Sequence, residues 1–216
     1  SRHNMFMLLN SSLAADWTGK HGYGRLALQV GTTADTYYSS EIEDGGSAGT
    51  GAHNPDVFKA IQEAYAGTQL GRKNPVKIEA GVFLSPIGPE NMAIKDQWTL
   101  SRSNLFYAFP FFHLGVRAHV PVGDATKLGF AVFNGWDSIF DKNDQKTLNV
   151  SVHHALSANV EVDAQYFVGV ERHRNAAEGA PLRHLLDVLV KLKLHPRFWL
   201  LIDFDGGFES GDLGTS

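Results

Sequence analysis

Along residues 79–136 apolar and polar side chains take turns, and no other segment of the chain is able to supply the second layer that the apolar ones would need. Val82 and Leu84 alternate with Gly81, Phe83 and Ser85. After a long loop, Leu114, Val116, Ala118, Val120 and Val122 alternate with Gly115, Arg117 and His119. A period of two predicts strands with one apolar face and one face that carries charge. In water the apolar face requires a protein core. Here lipid takes that place. A soluble β-sandwich is the competing fold, and solubility without detergent would identify it.

The same alternation recurs along the chain. Residues 5–15 read as a weak strand and 16–22 as a short connection. Residues 23–37 place Leu26, Leu28, Val30, Thr32 and Ala34 opposite Arg25, Gln29, Thr33 and Asp35, with Tyr37 and Tyr38 at the end, where an aromatic girdle would sit. Residues 39–57 form a Gly-, Ser- and Asp-rich loop. Residues 58–70 are ambiguous: Asn54 and Pro55 just ahead of them could start a short helical turn, with a strand to follow. Strands follow over 76–85, 112–122, 126–136, 146–156, 159–171, 182–194 and 198–208. The run 159–171 is the cleanest, with Val160, Val162, Ala164, Tyr166, Val168 and Val170 opposite Glu161, Asp163, Gln165, Gly169 and Glu171.

The connections sort by length. After the first strand they run short, long, short, long to the end, the long ones being 39–57, 86–111, 137–145 and 172–181. Short turns at one end and long loops at the other is the pattern of an outer-membrane barrel. Hydrocarbon offers no hydrogen-bond partner, so spanning strands must close on one another. The fold expected is all-β, a transmembrane antiparallel up-and-down β-barrel. It forms one domain over residues 1–216, with about ten strands of a length that suffices to cross a bilayer when tilted. The abrupt ends suggest a chain incomplete at both and a larger parent barrel.

Composition closes other routes. The chain has 216 residues, 43% of them hydrophobic and 19% charged, with 22 glycines. No run reaches the roughly 18 apolar residues of a membrane helix. Without cysteine there is neither a disulfide framework nor a thiolate site. A net charge of −4 is too weak and mixed to point to nucleic acid.

The run AGVFLSPIGPE, then DQWTLSRS, a Phe- and Pro-rich piece, and FHLGVRAHV, FNGWD and KND lie within residues 78–144. Together they resemble the Gram-negative beta-barrel porin-2 family. That family has a strand entering an S-x-I-G-x-E loop, a W-[ST]-x-[ST]-R-S segment and a G-V-R strand. Ser85, Ile87, Gly88, Glu90, Trp98, Ser101, Arg102, Ser103, Gly115, Val116, Arg117, Asn134, Gly135 and Trp136 match the pattern. The segment LRHLLDVLVKLKLHPRFWLLIDFDGGFE is similar to the later strands, less specifically. Members are longer than this chain, which also lacks the terminal aromatic residue such barrels present. The resemblance implies a porin-like barrel in the outer membrane of a Gram-negative bacterium.

If lipid takes the apolar faces, the opposite faces line a lumen. Arg25, Glu63, Lys77, Glu79, Arg117, His119, Glu161, Asp163, Asp187, Lys191 and Asp203 are the pore-lining candidates, with Gln29, Gln165, Lys193 and Asp205 beside them. Such residues set ion preference, or pair across strands as filler. Loop 86–111 holds Trp98, Phe106, Tyr107, Phe109, Phe111 and Phe112, too aromatic for a free tail. It could fold into the mouth and bring Arg102 to a constriction, or remain a surface loop with Arg102 on Glu90 or Asp96.

Catalytic signals are poor, and no enzyme is expected. There is no G-x-S-x-G and no H-E-x-x-H. Ser151 and His153, with Asp163 or Glu161 on the next strand, could make a barrel-wall hydrolase, the remote alternative. Residues 141–144 (DKND) lack the glycine and distal glutamate of a calcium loop. His153 and His154 point to opposite faces, and His113 with His119 is the other histidine pair. No metal and no cofactor is expected.

The reading is a passive channel for small solutes or ions through a polar lumen, a membrane protein of transmembrane β-strands with a role in ion transport. A plugged barrel displaying its loops to a surface partner is the alternative. The partners expected are outer-membrane lipid and small solutes or ions. A homo-oligomer stays open, and nucleic acid is not expected.

Overall fold

A computed structural model describes residues 6–38, 58–92, 97–99, 101–141, 143–172 and 179–210. Ten strands form one antiparallel sheet in chain order: β1 (Ser11–Thr18), β2 (Tyr23–Val30), β3 (Ile61–Leu70), β4 (Val76–Leu84), β5 (Phe112–Val122), β6 (Thr126–Phe133), β7 (Thr147–Ser157), β8 (Val160–Val170), β9 (Leu182–His195) and β10 (Phe198–Ser210). Each pairs with its sequence neighbours, so the topology is up and down. Among the described residues β1 and β10 each have one partner strand. The short connections 19–22, 71–75, 123–125, 158–159 and 196–197 lie at one end. The long ones, 31–60, 85–111, 134–146 and 171–181, lie at the other.

Two stretches depart from the periodicity. The first strand is Ser11–Thr18, so it begins later than expected and absorbs part of the expected connection. The second stops at Val30, and Thr32–Tyr37 forms a helical turn, α1. Gly31 makes the corner at φ 121°, a conformation that favours glycine. Tyr37 and Tyr38 are therefore not girdle residues. They are 0% and 2% exposed and pack with Val82, Phe112, Met92 and Ile139 over the outer side of β4 and β5 near the long-loop end. The Tyr37 and Tyr38 hydroxyls donate to the carbonyls of Gln62 (3.1 Å) and Ile61 (2.8 Å). Residues 39–57, with the suggested helix start at Asn54 and Pro55, lie outside the described residues.

The register fixes which side chains share a face, because directly opposed residues point the same way. One row runs Lys77, His119, Gly129, Ser151, Gln165, Asp187, Asp205 across seven strands. The other face carries Leu26, Val116, Phe130, Val132, Leu148, Val150, Ile202 and Phe204, all exposed. Each such side chain would gain roughly 1.5–3 kcal/mol on leaving water. Among the described residues no partner layer covers them, and lipid is the medium that does.

The polar face is concave. Flat strands sit about 4.8 Å apart, so β5 and β8 would be separated by roughly 14 Å. Instead the His113 ring on β5 stacks 5.4 Å from the Phe167 ring on β8. Glycine on the inner face permits this curl. Gly81 and Gly115 oppose each other on β4 and β5. A Cβ on Gly81 would come within 2.1 Å of the Ala64 carbonyl, and one on Gly115 within 2.1 Å of the Val132 carbonyl. Backbone approaches that close need glycine.

Candidate functional site: the concave face and the segment that crosses it

Alternation on each strand, combined with the register, puts every pore-lining candidate on the concave face. Near the short-turn end, Arg25 donates to Asp16 (2.9 Å) and Glu63 (2.7 Å). Next to it Glu79, 6% exposed, accepts from Tyr23 Oη at 2.7 Å and Arg117 Nε at 2.5 Å. The Arg117 guanidinium also lies 4.0 Å from the Phe83 ring centre and 5.3 Å from that of Tyr65. His119 Nε2 is 3.8 Å from Glu79, and the Lys77 ammonium sits 5.7 Å from the Tyr23 ring centre. These side chains form two neighbouring hydrogen-bonded groups across β1 to β5, Arg25 with Asp16 and Glu63, and Glu79 with Tyr23 and Arg117.

A second group spans β7 to β9. His153 Nδ1 lies 2.7 Å from Asp163 Oδ1, and Lys191 Nζ lies 3.7 Å from Asp163 Oδ2. Glu161 stands opposite Lys191 in the register. Ser151 shares the face, but no hydrogen bond joins it to His153 among the described residues. A nucleophile with its base would need one within reach. His154 points outward and lies 2.8 Å from Thr126 Oγ1, so the adjacent histidines do not converge. His113 and His119 do not converge either, being six residues apart on one strand, roughly 20 Å.

A third group is one the sequence gives no warning of. Asp187 on β9 opposes Asp205 on β10, and Asp203 is two residues away on the same face. One oxygen from each lies within 4.8 Å of the others. Asp187 is 2% exposed.

The chain leaving β4 meets this group. Gln165 Nε2 donates to the Pro86 carbonyl (2.7 Å) and to Asp187 Oδ2 (2.7 Å). Gly88 N donates to Asp187 Oδ2 at 2.8 Å. Four residues beyond β4 the chain has thus crossed the concave side to β8 and β9. Ile87 is 6% exposed and packs there with Phe83, Ala131, Phe133, Phe167 and Leu185. His113, fully buried, stacks 4.5 Å from the Phe133 ring, and its Nδ1 sits 3.1 Å from the Gly135 carbonyl oxygen. Aromatic packing therefore fills much of the concave face toward the long-loop end. Below the crossing segment lies a cavity of about 490 Å³. His119, Lys127, Ser151, His153, Asp163 and Lys191 line it, together with Pro86 and Trp98.

Arg102 takes another place. Its guanidinium donates to the carbonyls of Met92 (2.6 Å) and Asn91 (3.3 Å) and lies 4.8 Å from the Phe106 ring centre. Glu90, expected as its partner, instead accepts from the Ser103 amide (2.7 Å) and hydroxyl. The carbonyls at the bend are the stronger local demand, since a guanidinium can serve two acceptors at once. Asp96 lies outside the described residues. Arg102 and Glu90 thus tie the loop to itself across the motif. In the 141–144 segment, Asp141 Oδ1 accepts the amides of Asn143 (3.0 Å) and Asp144 (3.1 Å), a turn that caps its own backbone.

The family model described as "Putative beta-barrel porin-2, OmpL-like" matches residues 1–216. The chain belongs to that family and is an outer-membrane β-barrel protein of the Gram-negative type. No curated protein matches it by sequence. Among solved structures it is similar to OmpT (in-vitro folded), an outer membrane protein of Vibrio cholerae. The identity is 10%, the TM-score 0.36, and the match covers 94% of this chain and 79% of that one.

Proposed function

We propose that this porin-2 family barrel is a passive channel for small solutes or ions, without enzymatic activity. The observation that carries the reading is the polar cavity of about 490 Å³ on the concave face beneath the crossing segment. A wall meant only as a scaffold has no need of titratable side chains around a space that holds many waters. Residues 86–89 narrow the passage, and Arg102 acts on that narrowing through the loop it ties. Lys127 on β6 and Asp163 and Asp187 on β8 and β9 line the space as charges of opposite sign, with Lys191 beside the acidic pair. Such a transverse field orders permeating ions and polar solutes.

A specific observation favours the plugged-barrel reading as runner-up. The rings of Phe83, His113, Phe133 and Phe167, with Ile87, occupy the concave face at the long-loop end. If they seal it, the loops serve a surface partner and no current flows.

Planar-bilayer recording under a salt gradient decides between them. Discrete conductance steps with a reversal potential are expected. A correctly folded and inserted barrel that stays silent would retire the channel reading.

A further inference from the structure

We propose that Asp187, Asp203 and Asp205 bind one divalent cation, calcium first among them, and that this ion fastens residues 86–88 to the inner wall. The inference shares Asp187 and residues 86–88 with the channel reading but is argued from the geometry of the three carboxylates alone.

The three carboxylates converge from two paired strands, one oxygen of each within 4.8 Å of the others. Asp187 is 2% exposed, and only its Oδ2 is served, by Gly88 N and Gln165 Nε2. Its Oδ1 is buried without a hydrogen-bond partner, as are Asp203 Oδ1 and both oxygens of Asp205. No ion pair among the described residues reaches any of the three. Lys191 is engaged with Asp163, and Arg183 with Glu209. Ionised carboxylates at this spacing repel one another, and a cation bound between them relieves that repulsion.

The donors identify the ion class. They are hard oxygens with no sulfur or imidazole among them, which suits calcium or magnesium and not zinc. Calcium tolerates irregular shells of 6–8 oxygens with water completing them, whereas magnesium requires a near-ideal octahedron. Three carboxylates fixed by strand geometry fit the tolerant ion better.

The same carboxylate links the ion to the loop. Asp187 Oδ2 holds the Gly88 amide, and one oxygen of the same carboxylate lies within 4.8 Å of one from each of Asp203 and Asp205. Gly88 adopts φ 69°, and a Cβ there would lie 3.8 Å from Asp203 Oδ2. The bend is seated on the acidic group itself, so an ion that orders the carboxylates also orders the bend.

The test is calorimetric titration of calcium chloride into lipopolysaccharide-free, chelator-treated protein refolded in detergent. One calcium per chain is expected, with a dissociation constant on the order of 10⁻⁴ M. Asp203→Asn with Asp205→Asn should weaken it at least 100-fold, and Asp203→Asn alone at least tenfold. Both variants remove repulsion and should fold, as heat-modifiable migration would confirm. Calcium should also slow tryptic cleavage within residues 86–111 about tenfold in the wild type and not in the double variant. No calcium heat from folded wild type, or equal heat from the double variant, overturns the site. Binding without protection of the loop overturns the clamp.

Discussion

Replacing Arg117 with methionine removes the cation that sits on Glu79 and keeps most of the apolar stem. Glu79 is 6% exposed, so the carboxylate left behind has little access to water. Breaking a buried pair by deleting one partner costs about 3–5 kcal/mol. Two contacts moderate this: Tyr23 Oη still donates at 2.7 Å, and His119 Nε2 remains 3.8 Å away. The lower end, about 3 kcal/mol, therefore applies. Loss of the guanidinium 4.0 Å from the Phe83 ring centre adds roughly 0.5–1 kcal/mol. The sum is more than two powers of ten in the folded-to-unfolded ratio. Adding Glu79→Gln removes the orphaned charge and should recover about 2 kcal/mol, a coupling that marks direct contact. Urea titration of protein refolded into phospholipid vesicles, followed by tryptophan fluorescence, reads both quantities. If Arg117→Met lost less than about 1 kcal/mol, or the two losses simply added, Glu79 would not be the desolvated partner described here.

Five further changes probe the two faces, the curl of the sheet and the loop. Val152→Arg, in the middle of β7 on the apolar face, should cost about 2–4 kcal/mol in the same titration. Ser151→Arg, one residue away on the concave face, should leave stability nearly unchanged and alter conductance. Gly81→Ala should cost about 3 kcal/mol or more, because its Cβ meets the Ala64 carbonyl at 2.1 Å and its φ is 142°. Gly123→Ala is the control at φ 70° in open space, where about 1 kcal/mol is expected. Arg102→Ala should loosen the loop by about 1–2 kcal/mol through its lost carbonyl contacts. Faster chymotryptic cleavage within 86–111 with unchanged ion preference is the outcome expected. A changed ion preference would place its charge at the narrowing directly.

Alternation made the strands legible wherever one face meets a uniform medium. Strand β5 falls on residues 112–122 as the pattern predicts, and β8 departs from its predicted bounds by one residue at each end. The pattern fails at Thr32 and Ala34, which continue the period of two but lie in α1. There the outer face is covered by protein, and Tyr37 and Tyr38 turn back onto β4 and β5, so tertiary packing overrides local preference. The concave set is legible for the same reason as the strands. Its internal pairings are not, because they depend on register. The crossing of residues 86–88 is less legible still. Ile87 and Gly88 stand out as motif residues, yet only the curl of the sheet brings Gln165 and Asp187 within their reach.

The hairpin β9–β10 shows how narrow that margin is. Its two-residue turn, Pro196 and Arg197, pairs His195 with Phe198. Continued unchanged, that register would set Asp187 opposite Gly206 and Asp205 opposite Val188. Asp203 and Asp205 would then face lipid, at a cost on the order of 2 kcal/mol each, and Ile202 and Phe204 would turn into the polar side. A shift between Phe198 and Trp199 prevents this and sets Asp187 opposite Asp205. A one-residue slip moves every side chain of a strand to the other face, so burial selects the bulge that the turn alone would not predict. The bulge that keeps Phe204 in lipid is thus the same one that gathers Asp187, Asp203 and Asp205 beneath Gly88. Membrane insertion and assembly of the acidic group follow from a single irregularity in the backbone.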